Sequence, residues 1–105
     1  MEKQNKWRKI GNLEWSEPIG EMTWDDACEK CEEMGGRLPT RIELIDLVDN
    51  HYEEIKDWHA GYYFWSAITT SDDSHTAWYV YLYNGYTYYS AKTNKHNSLC
   101  VRDIK

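Results

Sequence analysis

The stretch from Thr76 to Lys92 constrains the fold most, because its residues alternate in character around one turn signal. Asn84-Gly85 suits a two-residue type I′ turn, in which both central positions need positive φ. With that loop, Tyr83 faces Tyr86, Tyr81 faces Tyr88 and Tyr79 faces Ser90. Alternation along a strand puts all of these side chains on one side of a hairpin. The opposite side carries Trp78, Val80, Leu82, Thr87, Tyr89 and Ala91, a core face. Tyrosine is stiff and amphipathic and loses little entropy on contact, so Tyr79, Tyr81, Tyr83, Tyr86 and Tyr88 read as a recognition surface. The competing reading has a second layer over this face and ordinary half-buried tyrosines. A covered face would normally carry more Val, Ile or Leu.

The 105 residues suffice for one domain with a single modest core, expected over residues 7–105 behind a flexible tail at residues 1–6. Nine Tyr and six Trp against one Phe favour side chains with an apolar body and a polar tip. Such residues suit a thin core beneath a contact surface. With a net charge of -6 and no long basic cluster, the chain is not expected to bind nucleic acid. It contains no apolar run long enough for a transmembrane helix. Met1 to Lys9 is polar and charged, unlike a secretory signal, so a cytoplasmic or particle-borne protein is expected. Cys28, Cys31 and Cys100 are too few for a disulfide scaffold, and their odd number leans toward a reducing compartment.

Along the chain, Leu13 to Glu17 suits a short strand stopped by Pro18. Thr23 is placed to cap a helix whose first turn holds Asp25 and Asp26, where the helix dipole favours negative charge. Trp24, Ala27, Cys28, Cys31 and Met34 form its apolar stripe, and Gly35-Gly36 ends it. Thr40 and Glu43 form a capping box for a second helix with Leu44, Ile45, Leu47 and Val48 on its buried side. Residues 51–61 read as a polar connection. Strands are expected at 62–68, 76–83, 86–92 and 98–104, with surface linkers at 69–75 and 93–97. Helices first and strands last argue for an α+β fold with an antiparallel sheet.

Several phrases together carry a family resemblance. They are Met22-Thr23-Trp24, Gly36-Arg37-Leu38-Pro39-Thr40-Arg41 with Glu43-Leu44, and Tyr63-Phe64-Trp65-Ser66. Ala77-Trp78-Tyr79-Val80, Asn84-Gly85 and Cys100-Val101-Arg102 complete them. Over residues 13–104 the chain resembles the C-type lectin-like domain of the Lcl C-terminal-domain family of bacteria and phages, related to the sulfatase-modifying-factor fold. The resemblance implies two helices packed on a small twisted antiparallel sheet, with the terminal strands side by side. It implies a binding module of bacterial surfaces, phage receptor-binding proteins or prophage-encoded proteins. It also implies a disulfide between Cys31 and Cys100 under oxidising conditions. The Glu-Pro-Asn or Gln-Pro-Asp and Trp-Asn-Asp stretches of calcium-dependent lectins are absent, so calcium-chelated sugar is not expected. The formylglycine-generating enzymes of the broader fold are far longer, and their reactive cysteine pair is not recognisable here.

Chemistry elsewhere is sparse. Cys28-x-x-Cys31 has no matching second pair for zinc, and no metal or other cofactor is expected. His51, His59, His75 and His96 fall in polar connections, none paired with a serine or cysteine in a recognisable catalytic arrangement, so no enzyme is expected. The expected function is a calcium-independent, non-catalytic module that binds a host or phage protein, or a glycan. Its contact residues are Tyr79, Tyr81, Tyr83, Tyr86, Tyr88 and Ser90, with a rim of Asp72, Asp73, His75, Lys92, Asn94, Lys95 and His96. The alternative is a small phage-encoded inhibitor of a host protein such as a defence enzyme. A homodimer through the tyrosine face is a further use of the same patch.

Overall fold

The computed structural model describes residues 7–58, 63–70 and 73–104. The tail at residues 1–6 and Asp72 lie outside them. The chain runs β1 (Trp7–Ile10), β2 (Leu13–Ser16), β3 (Glu21–Met22), α1 (Trp24–Glu33), α2 (Arg41–Asn50) and α3 (Tyr52–Ile55). After a 3₁₀ turn at Lys56–Trp58 come β4 (Tyr63–Thr70), β5 (Asp73–Tyr81), β6 (Tyr86–Ala91), β7 (His96–Asn97) and β8 (Val101–Asp103).

Both main helices start where their caps require. The Thr23 hydroxyl accepts from the Asp26 amide at 3.3 Å. Thr40 and Glu43 exchange side-chain bonds with each other's amides, at 3.1 and 2.9 Å, completing the capping box. Gly35, at φ 90°, turns the chain out of α1. Gly36 is needed for a different reason: a Cβ there would lie 2.7 Å from the Val101 carbonyl oxygen.

The strands form two sheets, ordered β1-β2-β8 and β3-β7-β4-β5-β6. The expected side-by-side terminal strands are β2 and β8, which pair Trp15 with Val101. Three expectations need correction. The segment from Trp7 to Ile10 is a strand, closed on β2 by the turn at Gly11. The supposed polar connection holds α3 and the 3₁₀ turn, because Ile55 and Trp58 anchor it in the core. The linker expected at 69–75 is largely strand, and β7 within the other linker adds one parallel bridge, Phe64 to Asn97.

Alternation along β4 divides the core in two. Phe64 faces the cluster built by Leu44 and Leu47 of α2 with Ile55, Trp58, Val80, Leu82 and Leu99. Trp65 faces the other way, onto Ala27, Cys31, Leu38, Ala77 and Cys100. Both residues are fully buried, so β4 is a central strand covered on both faces. Truncating Leu44 or Leu47 to Ala would cost about 2–5 kcal/mol at such sites. A disulfide joins Cys31 of α1 to Cys100 just before β8, with Cα atoms 5.3 Å apart. It fastens α1 onto the Trp65 side of the sheet.

Candidate functional site

The hairpin of β5 and β6 closes differently from the two-residue turn. Tyr81 pairs with Tyr86, Tyr79 with Tyr88 and Ala77 with Ser90. The loop is therefore Leu82 to Gly85, with the Asn84 and Gly85 amides both donating to the Tyr81 carbonyl, at 3.2 and 2.8 Å. Asn84 serves as a local acceptor, its side chain taking the Tyr86 amide at 2.9 Å. Leu82 is drawn fully into the core, and Gly85 lies over Val48 of α2. The slip moves each partner by two residues, so every strand side chain keeps its face.

One half of this sheet face is covered and the other is open. At the covered end, α1 and the Cys100 segment sit on Ala77 and Trp65. At the open end the rings of Tyr63, Tyr79, Tyr81, Tyr86 and Tyr88 form a connected pavement. Tyr63 lies 4.6 Å from Tyr79 and 4.9 Å from Tyr81, measured between ring centroids. Tyr79 lies 6.4 Å from Tyr88, which is 6.4 Å from Tyr86 in a stacked pair. Tyr83 extends the patch from the loop, 6.0 Å from Tyr81. Exposure rises outward: Tyr79 packs against the core, whereas Tyr63, Tyr88, Tyr86 and Tyr83 are 40, 47, 57 and 62% exposed. Burial and the neighbouring Tyr63, Tyr86 and Tyr88 raise the Tyr79 pKa, so its hydroxyl stays protonated at neutral pH.

His96 anchors the inner edge of the patch. Its ring lies 4.7 Å from Trp65, 4.9 Å from Tyr79 and 6.1 Å from Tyr63. Burial lowers its pKa, with Glu21 opposing, so the imidazole is neutral at pH 7. Its Nε2 lies 3.0 Å from the Ser90 hydroxyl, which also accepts from Asn94 Nδ2 at 2.8 Å. This contact pairs His96 with a serine. It does not complete a triad, since no carboxylate among the described residues hydrogen-bonds the His96 ring.

The rest of the expected rim is scattered. Asn94 and Lys95 are exposed in the loop after β6. His75 is exposed on β5, where its carbonyl accepts from the Lys92 amide at 2.9 Å. Asp73 begins β5, opposite Thr70. Lys92 leaves the tyrosine patch, its ammonium standing 4.2 Å over the Trp24 ring. Tyr89 and Ala91, expected in the core, are exposed instead. Tyr89 is 46% exposed because β6 is an edge strand, and its ring stacks on Tyr88 at 4.8 Å.

Tyr63 is the member of this ring cluster that sequence reasoning missed. Its signal was the Tyr63-Phe64-Trp65 alternation, legible only once β4 is known to neighbour β5. The tryptophans are withdrawn from the surface in a consistent way. Arg102 covers Trp7, Lys92 covers Trp24, Arg8 covers Trp58 and Arg41 covers Trp78, each cation 4.1–4.9 Å from a ring centroid. Trp15 and Trp65 are buried. The aromatic surface left uncapped is tyrosine.

A separate pocket of about 340 Å³ beside α1 includes Trp24, Cys28, Arg37 and Thr40. Burial, with Asp25 and Glu32, pushes the Cys28 thiol up to about 11, Lys92 opposing, so it is a poor nucleophile at neutral pH. Arg37 is held by both oxygens of Glu43 at 2.9 Å. Among the described residues, no group of three or more His, Cys, Asp or Glu side chains is arranged to hold a metal ion. Among them also, no helix is long and apolar enough to cross a membrane.

Helices α1 and α2 on opposite faces of β4, with β2 between β1 and β8, define a C-type lectin-like fold. Botrocetin shares it, with a TM-score of 0.65 and 15% identity over 93% of this chain and 96% of its own. The Yersinia pseudotuberculosis adhesin InvE shares it with a TM-score of 0.63 and 14% identity, over 91% of this chain and 34% of the adhesin. The sequence profile of the Lcl C-terminal domain matches residues 4–102, and the chain belongs to that family. Curated protein sequences give no significant match.

Proposed function

We propose that this domain is a non-catalytic binding module that recognises a protein surface through Tyr63, Tyr79, Tyr81, Tyr83, Tyr86 and Tyr88. The observation that carries this reading is the uncapped tyrosine pavement at the open end of a sheet face whose other end is covered by α1. These rings stand mostly on paired strands, so little entropy is lost when a partner docks. Exposed outer tyrosines around half-buried Tyr79 and Tyr81 give the graded burial of an aromatic interface centre. A non-catalytic role is supported by the protonated Cys28 and by His96, whose ring is packed among aromatics. Binding is read as independent of calcium, because the sugar-chelating motifs are absent from the sequence. A phage or prophage protein, acting in the cytoplasm or on a particle, is part of the same reading.

The test is affinity capture from host-cell lysate by wild type beside a Tyr81→Ser/Tyr88→Ser variant. Circular dichroism establishes that both are folded. A protein retained by wild type and lost by the variant supports the site. Single Tyr81→Ala or Tyr88→Ala changes should then weaken that complex by ~2 kcal/mol, roughly 30-fold, where either ring is a hot spot. Equal capture by both proteins overturns the assignment. A glycan that binds wild type without calcium, and is lost with the same tyrosines, moves the ligand from protein to saccharide.

A further inference from the structure

The cavity beside α1 has no part in the tyrosine reading. Along β4, Tyr63 belongs to the open pavement, Trp65 lies beneath α1 and Ala67 lines this cavity. The cavity therefore lies on the other side of α1 from the tyrosines. At about 340 Å³ it falls at the low end of ligand-binding cavities, roughly 300–1,000 Å³. That size fits one side chain better than a cofactor.

Its walls come from three segments. Trp24, Cys28 and Glu32 follow one another at intervals of four along α1, so they share one stripe of the helix. Leu38 contributes from the segment before α2, and Ala67 from β4. The Trp24 ring is held in place by its indole N–H, which donates to the Ser66 carbonyl at 2.8 Å. The other two walls are tied together, because the Ala67 amide donates to the Pro39 carbonyl at 2.7 Å. The cavity is thus formed before any ligand arrives, with an aromatic and aliphatic lining.

Charge selects the occupant. Arg37 also lines the cavity, but Glu43 holds it with both oxygens at 2.9 Å, so that pair is neutral. Asp25 and Glu32 both act on the Cys28 thiol, and neither makes a salt bridge among the described residues. Lys92 is set against them, its ammonium 4.2 Å over the Trp24 ring. Two carboxylates against one ammonium leave the cavity a positive charge short. Asp26, Glu29 and Glu33 on the exposed side of α1 outnumber Lys30 and draw in the same sign of partner.

We propose that this cavity receives an arginine side chain presented by a protein partner. The guanidinium pairs with Glu32 and Asp25, and the hydrocarbon stem lies along Trp24, Leu38 and Ala67. Arginine suits the place because its stem is apolar, its plane stacks on an indole and its fork of donors matches a carboxylate. The chain makes the same kind of contact within itself, with Arg102 over Trp7, Arg8 over Trp58 and Arg41 over Trp78. Trp24 has a lysine instead, and the guanidinium comes from outside.

The test titrates N-acetyl-arginine amide into the isotope-labelled full chain. N-acetyl-citrulline amide, nearly the same shape without the charge, is the control. The readout is the Trp24 indole N–H by NMR, assigned from the spectrum of a Trp24→Phe variant. The arginine probe should shift that signal saturably in the millimolar range, and the citrulline probe should bind several-fold more weakly. Glu32→Gln, at an exposed position, should weaken the arginine probe by about 3–5-fold. Ala67→Leu fills the cavity from an exposed position and should abolish binding. Cys28, the unbridged thiol in the wall, should be alkylated by iodoacetamide more slowly when the arginine probe is present. No saturable shift at Trp24, or equal binding of the two probes, overturns the proposal. So does an Ala67→Leu variant that binds the arginine probe as well as wild type. Failure here leaves the tyrosine face untouched, because the Tyr81→Ser/Tyr88→Ser variant should give the same titration as wild type.

Discussion

Removing the bridge between Cys31 and Cys100 should lower stability far more than the loss of two small side chains suggests. The cysteines are 69 residues apart, so the crosslink restricts most of the unfolded chain. The chain-entropy relation gives ~4 kcal/mol for a loop of that size. A 105-residue domain unfolds with an entropy of about 220 cal/mol/K near its midpoint, so the loss corresponds to a fall in Tm of roughly 15–20 °C. The comparison is thermal unfolding, followed by circular dichroism, of wild type against a Cys31→Ala/Cys100→Ala variant. Genetic removal is preferable to a reductant, because both cysteines are fully buried and a thiol reaches them only after unfolding. A Cys28→Ser variant serves as control and should melt close to wild type, since that residue is half-buried and unbridged. If the double variant melts within about 5 °C of wild type, the crosslink does not constrain the unfolded chain as reasoned. The same variant should also loosen α1, exposing Trp65 to solvent with a red shift in fluorescence before global unfolding.

Gly36→Ala should destabilise the domain by about 1–3 kcal/mol in chemical denaturation, because its Cβ would press on the Val101 carbonyl and the Trp7 ring. Gly36 is not in the positive-φ region, so the effect is one of space. His96 should make stability depend on pH. Burial lowers its pKa in the folded state, so as pH falls the unfolded chain takes up the proton first. Stability should decline as pH drops through the unfolded value of about 6.5 and level off below the lower folded value. Comparing denaturation midpoints at pH 7.5 and 5.5 for wild type and His96→Gln checks this, since the variant should lose the part of the slope that His96 supplies.

Legibility followed the range of the interaction involved. The helix starts depend on Thr23, Thr40 and Glu43 within single turns, and a short window of sequence contains everything needed. The tyrosine face survived an incorrect turn because alternation has period two and the register slipped by two. The turn itself was misjudged because Asn84 and Gly85 act within a four-residue loop whose depth is set by Leu82 entering the core. Strand β1 and helix α3 were missed for a related reason. Trp7 to Ile10 and Tyr52 to Trp58 have weak local patterns and are ordered by distant partners. Tyr63 joins the candidate site only through the β4-β5 neighbour order, which no local pattern specifies, and the same order moves His96 from the expected rim to the inner edge of the patch. Lys92 was misplaced because its attraction to Trp24 depends on where α1 begins.

The division of labour along β5 and β6 has an evolutionary consequence. At the open end, Tyr79, Tyr81, Tyr86 and Tyr88 alternate with Val80 and Thr87, whose side chains lie on the opposite face. The outer positions can therefore be exchanged for other residues while those facing α2 are retained. A lineage could change the chemistry of this surface through a few codons, with the helices, the crosslink and both packed clusters inherited intact.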